Sequence, residues 1–148
     1  ELEREQQRRH GQCLSCAALS SAEAEQRIVV ATEHFVALAP NPPKLPYETW
    51  LMPRDCQSDF LRADVDALAT AMQQWLQAIG NGLDRPPCNL WLHRVPPALL
   101  AADESFHWHF ELQPRTGQLA GLELGGDMYI NSVPAEVTAA RLRDGLQN

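Results

Sequence analysis

The sequence predicts an α+β protein in which helices cover one side of an antiparallel sheet. Three observations lead to this class. Short β-branched and apolar runs flank turn-forming residues near the N-terminus, one long stretch has the periodicity of a helix, and a later stretch alternates between apolar and polar residues. The length of 148 residues fits a single domain, so we expect one hydrophobic core within residues 1–148.

The first half of the chain is predicted to contain a hairpin, a third strand and a long helix. The three strands are expected at Arg27–Ala31, Phe35–Ala39 and Tyr47–Met52. Apolar residues recur at spacings of three and four throughout Phe60–Leu83, which predicts an amphipathic helix. We expect Gly80-Asn81-Gly82 to end it, because glycine and asparagine accept the left-handed conformation of helix C-caps. The charged segment Glu1–His10 predicts a short solvated helix or a frayed terminus.

The second half is predicted to contain further strands and a C-terminal helix. These elements are expected at Asn89–Val95, Ser105–Gln113, Met128–Ile130 and Ala135–Leu146. Asn131 and Ser132 offer N-cap oxygens to the final helix, and Pro134 lies near its first position. The glycine-bearing segment 117–126 predicts either an ordinary connection or a phosphate-facing loop.

The charge balance argues against nucleic acid as a partner. Twelve basic and nineteen acidic residues give a net charge of -7, which opposes a broad contact with phosphates. No stretch approaches the roughly 18 apolar residues of a membrane span, so we expect no membrane association. The N-terminus has no initiating Met and no apolar secretion signal, and we interpret the chain as an excised piece of a cytoplasmic protein.

The cysteines favour metal or redox chemistry. Four are too few for a disulfide scaffold of this length, and Cys13-Leu14-Ser15-Cys16 has the spacing that lets two thiolates bind one Zn²⁺. Cys56 and His107 are the best candidates for the remaining ligands, followed by Cys88 and His93. Two alternatives remain, namely cysteines that act as small buried hydrophobes and a redox pair of the thioredoxin type.

The segment Ser105–Leu112 is the most informative part of the sequence. Its period of two places Phe106, Trp108, Phe110 and Leu112 on one face. The other face then carries two imidazoles and a carboxylate, from His107, His109 and Glu111. Residues two apart on a strand are separated by about 6.6 Å, so both rings can lean toward one metal ion or one phosphate. The alternative is a polar sheet face exposed to water.

Several runs of this sequence resemble the C-terminal half of galactose-1-phosphate uridylyltransferases. The runs that carry the resemblance most clearly are Phe106–Arg115, Ala120–Gly125 and Tyr129–Glu136. Shorter matching stretches occur in the order that family shows, at Gly11–Cys16, Arg27–Val29, Phe35–Ala37, Pro46–Glu48 and Asn89–His93. The resemblance therefore covers nearly the whole chain.

The resemblance implies a histidine-triad-like fold, with an antiparallel sheet of about five strands, a long helix and a C-terminal helix. It also implies that residues 1–148 form the C-terminal domain of a two-domain nucleotidyltransferase of galactose metabolism. In that family, a histidine of an N-terminal His-Pro-His motif attacks the α-phosphate of a UDP-sugar, and a hexose 1-phosphate then accepts the nucleotide. The implied partners are a nucleotide sugar and a hexose 1-phosphate, with a homodimer as one option.

The resemblance also gives roles to individual residues. The implied zinc ligands are Cys13, Cys16, Cys56 and His107, with His93 as an alternative ligand. In the second domain of the family, the positions of His93, His107 and His109 serve a structural metal. The implied substrate contacts are Glu123 and Asn131, and His109 is the candidate catalytic residue.

The chain departs from the family pattern at three points. The His-Pro-His motif is missing, Cys56 stands where the family has histidine, and Glu111 stands where free-standing histidine-triad hydrolases have a third histidine. Independent catalysis is therefore not expected. Two alternatives follow, a non-catalytic nucleotide-binding or dimerisation module, and a stand-alone nucleotidyl hydrolase or phosphorylase in which His109 attacks and Glu111 assists the leaving group.

Overall fold

The computed structural model describes residues 13–96 and 106–147. Its helices are α1 (Leu14–Ala24), α2 (Val65–Gly82), α3 (Gly121–Gly126) and α4 (Ala135–Asp144), and a short 3-10 helix spans Phe60–Arg62. Its strands are β1 (Ile28–Ala31), β2 (Phe35–Leu38), β3 (Thr49–Pro53), β4 (Cys88–His93) and β5 (His109–Pro114). The expected α+β class is confirmed.

The strands form one antiparallel sheet in the order β1-β2-β3-β5-β4. The last strand in sequence, β5, is thus inserted between β3 and β4, and β4 forms one edge. The register fixes two rows across these three strands, because facing residues of antiparallel neighbours lie on the same side. One row is Leu51, Phe110 and Leu92, and the next row, on the opposite side, is Trp50, Glu111 and Trp91.

The main core lies between one face of the sheet and the helices α2 and α4. Trp75 of α2 is fully buried in it, and its indole Nε1 donates a hydrogen bond to Thr49 Oγ1 over 3.0 Å. Leu51, Trp108 and Leu112 of the sheet face belong to the same cluster. The long helix and the strand around Trp108 therefore bury the apolar sides that their periodicities predicted.

The other face of the sheet is covered in part by α1. Leu19 and Ala22 of this helix form a second cluster with Val36, Leu38 and Met52. This arrangement differs from the expectation that helices cover one side only. The buried members of this cluster come from α1, β2 and β3, so β5 and β4 carry their polar side chains next to the covered area.

Most predicted elements are confirmed with shifted ends. The long helix begins at Val65 rather than Phe60, because Asp64 caps it by accepting a hydrogen bond from Ala67 N. After it ends at Gly82, the left-handed residues are Asp84 and Arg85, not the predicted Gly80-Asn81-Gly82. The predictions for Glu1–His10 and for Ser105 concern residues outside the part of the chain that the structure describes.

The structure differs from the expectations at four local points. The Cys13–Ala24 region forms a helix that the sequence did not predict, because its alanine-rich and serine-rich composition gives a weak apolar stripe. Met128–Ile130 is not a strand, and part of the glycine-bearing segment forms the short α3. Pro134 is the N-cap of α4 and no side chain caps that helix.

Within residues 13–96 and 106–147, none of the helices has the length and apolar character needed to cross a bilayer.

Gly145 lies where α4 approaches α2. A Cβ atom on Gly145 would be 2.6 Å from the carbonyl oxygen of Ala78 and 2.6 Å from the nitrogen of Gly82. Its φ of -66° suits any residue, so glycine fits this position because it has no side chain and not because of its conformational freedom. We predict that Gly145→Ala lowers the free energy of unfolding by about 1–3 kcal/mol, because the helices must separate. Urea unfolding measures this, and Gly117→Ala, with nothing within 4 Å, is the control. Equal losses in both variants would contradict the packing explanation.

Candidate metal centre and open sheet face

Four side chains from separate parts of the sequence meet at one end of the sheet. They are Cys13, Cys16, Cys56 and His107. One ligand atom from each residue lies within 4.8 Å of every other one. The group could hold a metal ion, and it is the set that the spacing and the resemblance had indicated.

Each ligand is positioned by the end of a regular element. Cys13 is the N-cap residue of α1, and Cys16 lies in the first turn of that helix. Cys56 follows the end of β3 at Pro53, and His107 precedes β5. The N-terminus of α1 carries a partial positive charge, which favours the thiolate form of Cys13 at the N-cap.

The orientation of the His107 ring is fixed by the backbone of β3. Its Nε2 lies 2.8 Å from the carbonyl oxygen of Pro53 and donates a hydrogen bond to it. Nδ1 is therefore the ring nitrogen that is left for other partners. Nδ1 lies 3.5 Å from Cys16 Sγ and faces the thiols. A histidine that donates from Nε2 to the backbone can bind a metal ion through Nδ1.

The thiols of the cluster differ in acidity. Burial raises the pKa of Cys13, but hydrogen bonds with the His107 side chain and with the backbone of Cys16 outweigh burial and lower this pKa to about 7. Burial, together with the thiols of Cys56 and Cys13, raises the pKa of Cys16. Thiolates this close together repel one another, and a bound cation would remove this repulsion.

The four ligands also differ in exposure. His107 is 0% and Cys13 is 7% exposed, whereas Cys56 is exposed at the surface. Cys56 lines an open cavity of about 290 Å³ beside the end of β3. The centre is thus closed on the α1 side and reachable from solvent on the Cys56 side.

His109 has surroundings unlike those of His107. Its ring stacks between Trp50 and His93, with centroid distances of 4.9 Å and 4.8 Å. Its Nδ1 donates a hydrogen bond to the carbonyl oxygen of His107 over 3.2 Å. Burial, and to a lesser degree the charges of His93 and His107, lower its pKa to about 4, so the ring is neutral at pH 7. The two imidazole rings therefore have separate surroundings and do not face one common metal ion or phosphate, as the sequence analysis had allowed.

His93 lies outside the four-residue group. It pairs with His109 across β4 and β5, and its Nε2 is 2.8 Å from Glu111 Oε2. Glu111 Oε1 accepts a second hydrogen bond from Gln113 Nε2 over 2.6 Å. Cys88 is also distant from the group in the structure and lies in the edge strand. His93, His109 and Glu111 form a polar row on the part of the sheet that α1 does not cover, which we call the open face. Exposure decreases along this row from the edge strand, with the side chain of His93 43%, that of Glu111 17% and His109 only 7% exposed.

Glu48 lies on the same side of the sheet as His109 and holds the neighbouring Trp50 side chain in place. Its Oε2 accepts hydrogen bonds from the backbone nitrogens of Lys44 and Leu45, over 2.7 Å and 3.2 Å. Its Oε1 accepts one from Trp50 Nε1 over 3.0 Å, and Trp50 stacks on His109. The sequence analysis did not single out Glu48 or Trp50. Alternation within Tyr47–Met52 places both on one face, but only the strand pairing shows that this face carries His109.

A second open cavity, of about 520 Å³, lies beside the C-terminal end of β5. Its lining includes Leu45, Asn89, Gln113, Arg115, Thr116 and Glu123. The carboxylate of Glu123 accepts a hydrogen bond from Ala120 N over 3.0 Å. Asn131 is not part of this lining. Its side-chain amide donates a hydrogen bond to the carbonyl oxygen of Val133 and accepts one from Val133 N, in a local turn. The two expected substrate contacts are thus in different surroundings.

Most of this chain is similar to parts of two known enzymes. No protein-family model matches the chain. An ADP-glucose phosphorylase from Arabidopsis thaliana is 30% identical over 139 residues, which cover 90% of this chain and 38% of that protein. A galactose-1-phosphate uridylyltransferase from Thermotoga maritima is 28% identical over 142 residues, which cover 89% of this chain and 44% of that protein. The chain thus spans less than half the length of both relatives, and the resemblance seen in the sequence is confirmed.

Solved structures support the same relationship. The crystal structure of the Arabidopsis ADP-glucose phosphorylase with bound ADP-glucose matches with a TM-score of 0.80 at 28% identity, over 96% of this chain and 45% of that one. A zinc-bound histidine triad family protein from Mycobacterium smegmatis matches with a TM-score of 0.61 at 20% identity, over 91% of this chain and 93% of that one. The histidine-triad-like fold is confirmed.

The environment of Glu48 predicts a pH dependence of stability. Burial, with a smaller contribution from the charge of Glu111, raises the pKa of Glu48 although three N–H donors oppose the shift. Between the ordinary carboxyl pKa and this raised value, the folded protein keeps a proton that the unfolded chain releases. The contribution of Glu48 to the free energy of unfolding therefore falls as the pH rises through this window.

We predict that the unfolding free energy of the unmodified protein, minus that of Glu48→Gln, decreases with rising pH. Urea unfolding at a series of pH values measures this difference. Glu25→Gln is the control with the opposite sign, because hydrogen bonds with Ser21 and Arg27 lower the pKa of Glu25. A difference for Glu48→Gln that rises with pH would show that its carboxylate is stabilised in the folded state.

Proposed function

We propose that this chain is the C-terminal histidine-triad-like domain of a nucleotidyltransferase that acts on a nucleotide sugar and a hexose 1-phosphate. The observation that carries the proposal is the similarity over 90% and 89% of the chain to an ADP-glucose phosphorylase and a galactose-1-phosphate uridylyltransferase. Galactose metabolism in the cytoplasm is the pathway and compartment we propose. Reduced cysteines, none of which forms a disulfide among the described residues, suit that compartment.

The two-domain organisation is supported by the lengths of the similar proteins. The chain matches 45% of the ADP-glucose phosphorylase structure but 93% of a single histidine triad protein. It therefore has the size of one unit of this fold. The chain has no His-Pro-His motif, so we propose that the nucleophilic histidine belongs to a second domain.

We propose that the metal held by Cys13, Cys16, Cys56 and His107 is zinc. In a tetrahedral zinc site, Zn–S bonds of about 2.3 Å and Zn–N bonds of about 2.0–2.1 Å place the ligand atoms about 3.5–3.8 Å apart. The 3.5 Å between Cys16 Sγ and His107 Nδ1 meets this requirement, and contraction of the wider pairs from at most 4.8 Å completes it. Sulfur and imidazole ligands in tetrahedral number favour zinc over magnesium or calcium.

The role we propose for this zinc is structural. Four protein ligands fill a tetrahedral coordination sphere, which leaves no position for a reacting water. The ligands join the start of α1, the end of β3 and the start of β5. The metal would thus fix β5, and with it the position of His109 on the open face.

We propose that the open face and the cavity beside it contact the substrates. The neutral His109 ring, the His93–Glu111 pair and the half-exposed Trp91 offer hydrogen bonds and an aromatic surface. In the cavity, the Glu123 carboxylate can accept hydrogen bonds from sugar hydroxyls. We infer that Asn131 acts by shaping the turn before α4.

The edge strand β4 supports contact with a second domain. Cys88–His93 contains no Lys, Arg, Asp or Glu, although such residues normally protect an exposed edge. Leu90 is 44% and Trp91 is 43% exposed. Further exposed apolar side chains lie in the segment that contains α3, at Leu119, Leu122, Leu124, Met128 and Ile130. We propose that the second domain, or a second subunit in a homodimer, covers this surface.

One observation favours a second candidate function, nucleotidyl transfer by the chain alone. The hydrogen bond from His109 Nδ1 to the His107 carbonyl leaves the unprotonated Nε2 as the nucleophilic atom, and the described part of the chain offers that atom no hydrogen bond. A neutral, oriented imidazole is a competent nucleophile toward a phosphate. In this alternative His109 attacks, and Glu111 assists through His93.

The zinc assignment predicts one zinc ion per purified chain. Cys13→Ser and His107→Ala are expected to lose the zinc, because each removes one of four ligands. Cys88→Ser is expected to keep it, since Cys88 lies outside the group. Elemental analysis after gel filtration measures the stoichiometry, and thermal unfolding with and without a chelator measures the stabilisation. Full thiol reactivity without bound zinc would exclude the site.

The two-domain proposal predicts negligible activity for this chain alone. We expect no measurable conversion of UDP-glucose with galactose 1-phosphate, or of ADP-glucose with phosphate, because the chain lacks the attacking histidine of the proposed first domain. A chromatographic assay for the nucleotide products measures this. Turnover that His109→Ala abolishes would instead establish the second candidate function. Calorimetric titration with UMP and AMP tests the non-catalytic nucleotide-binding alternative.

A further inference from the structure

Cys56 is the exposed member of a metal-ligand group whose other residues are shielded. His107 and Cys13 are buried, and Cys16 is partly exposed. The cavity of about 290 Å³ that Cys56 lines is polar, with His34, Asp55, Gln57 and Arg62 in its wall. Small polar molecules dissolved in water therefore reach Cys56 before they reach the other ligands.

We propose that Cys56 is an oxidation site through which hydroperoxides release the metal, with Cys16 as the thiol that completes a disulfide. The release step rests on the zinc site proposed above. The oxidation of Cys56 itself rests on its exposure and on its neighbours.

Cys16 is the thiol placed to react with an oxidised Cys56. The sulfur atoms of Cys16 and Cys56 lie within 4.8 Å of each other. Cys13 is less suited, because it is only 7% exposed at the N-cap of α1, whereas Cys16 is partly exposed. The geometry therefore favours a Cys16–Cys56 disulfide over one within the Cys13–Cys16 pair.

The reaction is balanced with hydrogen peroxide as the oxidant. The Cys56 thiolate attacks one peroxide oxygen, an S–O bond forms, the O–O bond breaks and hydroxide leaves. The Cys16 thiolate then attacks the Cys56 sulfur, an S–S bond forms, the S–O bond breaks and a second hydroxide leaves. Two thiolates lose one electron each, and the peroxide gains both. A disulfide lacks the thiolate charge that binds zinc, so two ligands remain and the ion dissociates.

Release of the metal would affect the segments that position the open face. Cys56 follows β3 by a short segment, and the Pro53 carbonyl at the end of β3 orients His107. Loss of the metal would uncouple α1 from the end of β3 and the start of β5. A histidine at position 56 would keep a ligand that hydroperoxides do not oxidise under the same conditions.

The test is zinc release from the zinc-loaded protein on addition of hydrogen peroxide, followed with a chromogenic zinc chelator. We expect one zinc per chain to be released from the unmodified protein and from Cys88→Ser. We expect Cys56→His to keep its zinc and to release it at least about tenfold more slowly, because it lacks the exposed thiolate. Peptide mass spectrometry should identify a Cys16–Cys56 disulfide, and dimedone present during oxidation should modify Cys56.

Equal release rates in the unmodified protein and Cys56→His would overturn the proposal, as would a Cys13–Cys16 disulfide as the first product. The peptide analysis uses the unmodified protein, so it decides the oxidation site even where Cys56→His fails to fold. A protein that holds no zinc before peroxide is added contradicts the zinc assignment. Dimedone labelling still tests oxidation at Cys56 in that case, and labelling elsewhere first would exclude Cys56.

Discussion

The hydrogen bond from His107 Nε2 to the Pro53 carbonyl is the contact on which the candidate site depends. It joins the end of β3 to the start of β5, although these strands are far apart in sequence. It also fixes the orientation of the ring, so that Nδ1 faces the thiols of the N-terminal helix. Since the bond is buried with a fully buried ring, losing it would leave a carbonyl oxygen without its partner at a substantial free-energy cost. This one interaction therefore links the end of β3 to the orientation of His107 in the candidate metal group.

The two faces of the sheet have different surroundings. One face packs on α2 and α4 and buries residues such as Trp75 and Leu51. The other face is divided, because α1 covers β2 and β3 while His93, His109 and Glu111 lie on the part that it does not cover. The candidate zinc group lies at the border between these areas. This arrangement places the candidate metal group and the polar row side by side within one small domain.

The sequence predicted the parts of this structure that depend on local periodicity. Alternation around Trp108 correctly placed aromatic residues in the core and His109 and Glu111 on the opposite face, since successive side chains of a strand alternate. The Cys-x-x-Cys spacing indicated half of the metal group. The helix α1 was missed because small residues such as alanine and serine give little contrast between its faces. The support of His109 by Trp50 was also missed, because it depends on which strands pair.

The amino-acid sequence by itself determined the α+β class, the long helix, the core strand around Trp108 and the resemblance to galactose-1-phosphate uridylyltransferases. Each of these follows from residues close together in the chain or from their order along it. Only the tertiary structure decided that β5 lies between β3 and β4, that His107 faces the thiols while His109 stacks between Trp50 and His93, and that Cys56 is the exposed ligand. The physical reason is that strand pairing and burial are set by contacts between distant segments, and a local pattern does not specify which segments meet.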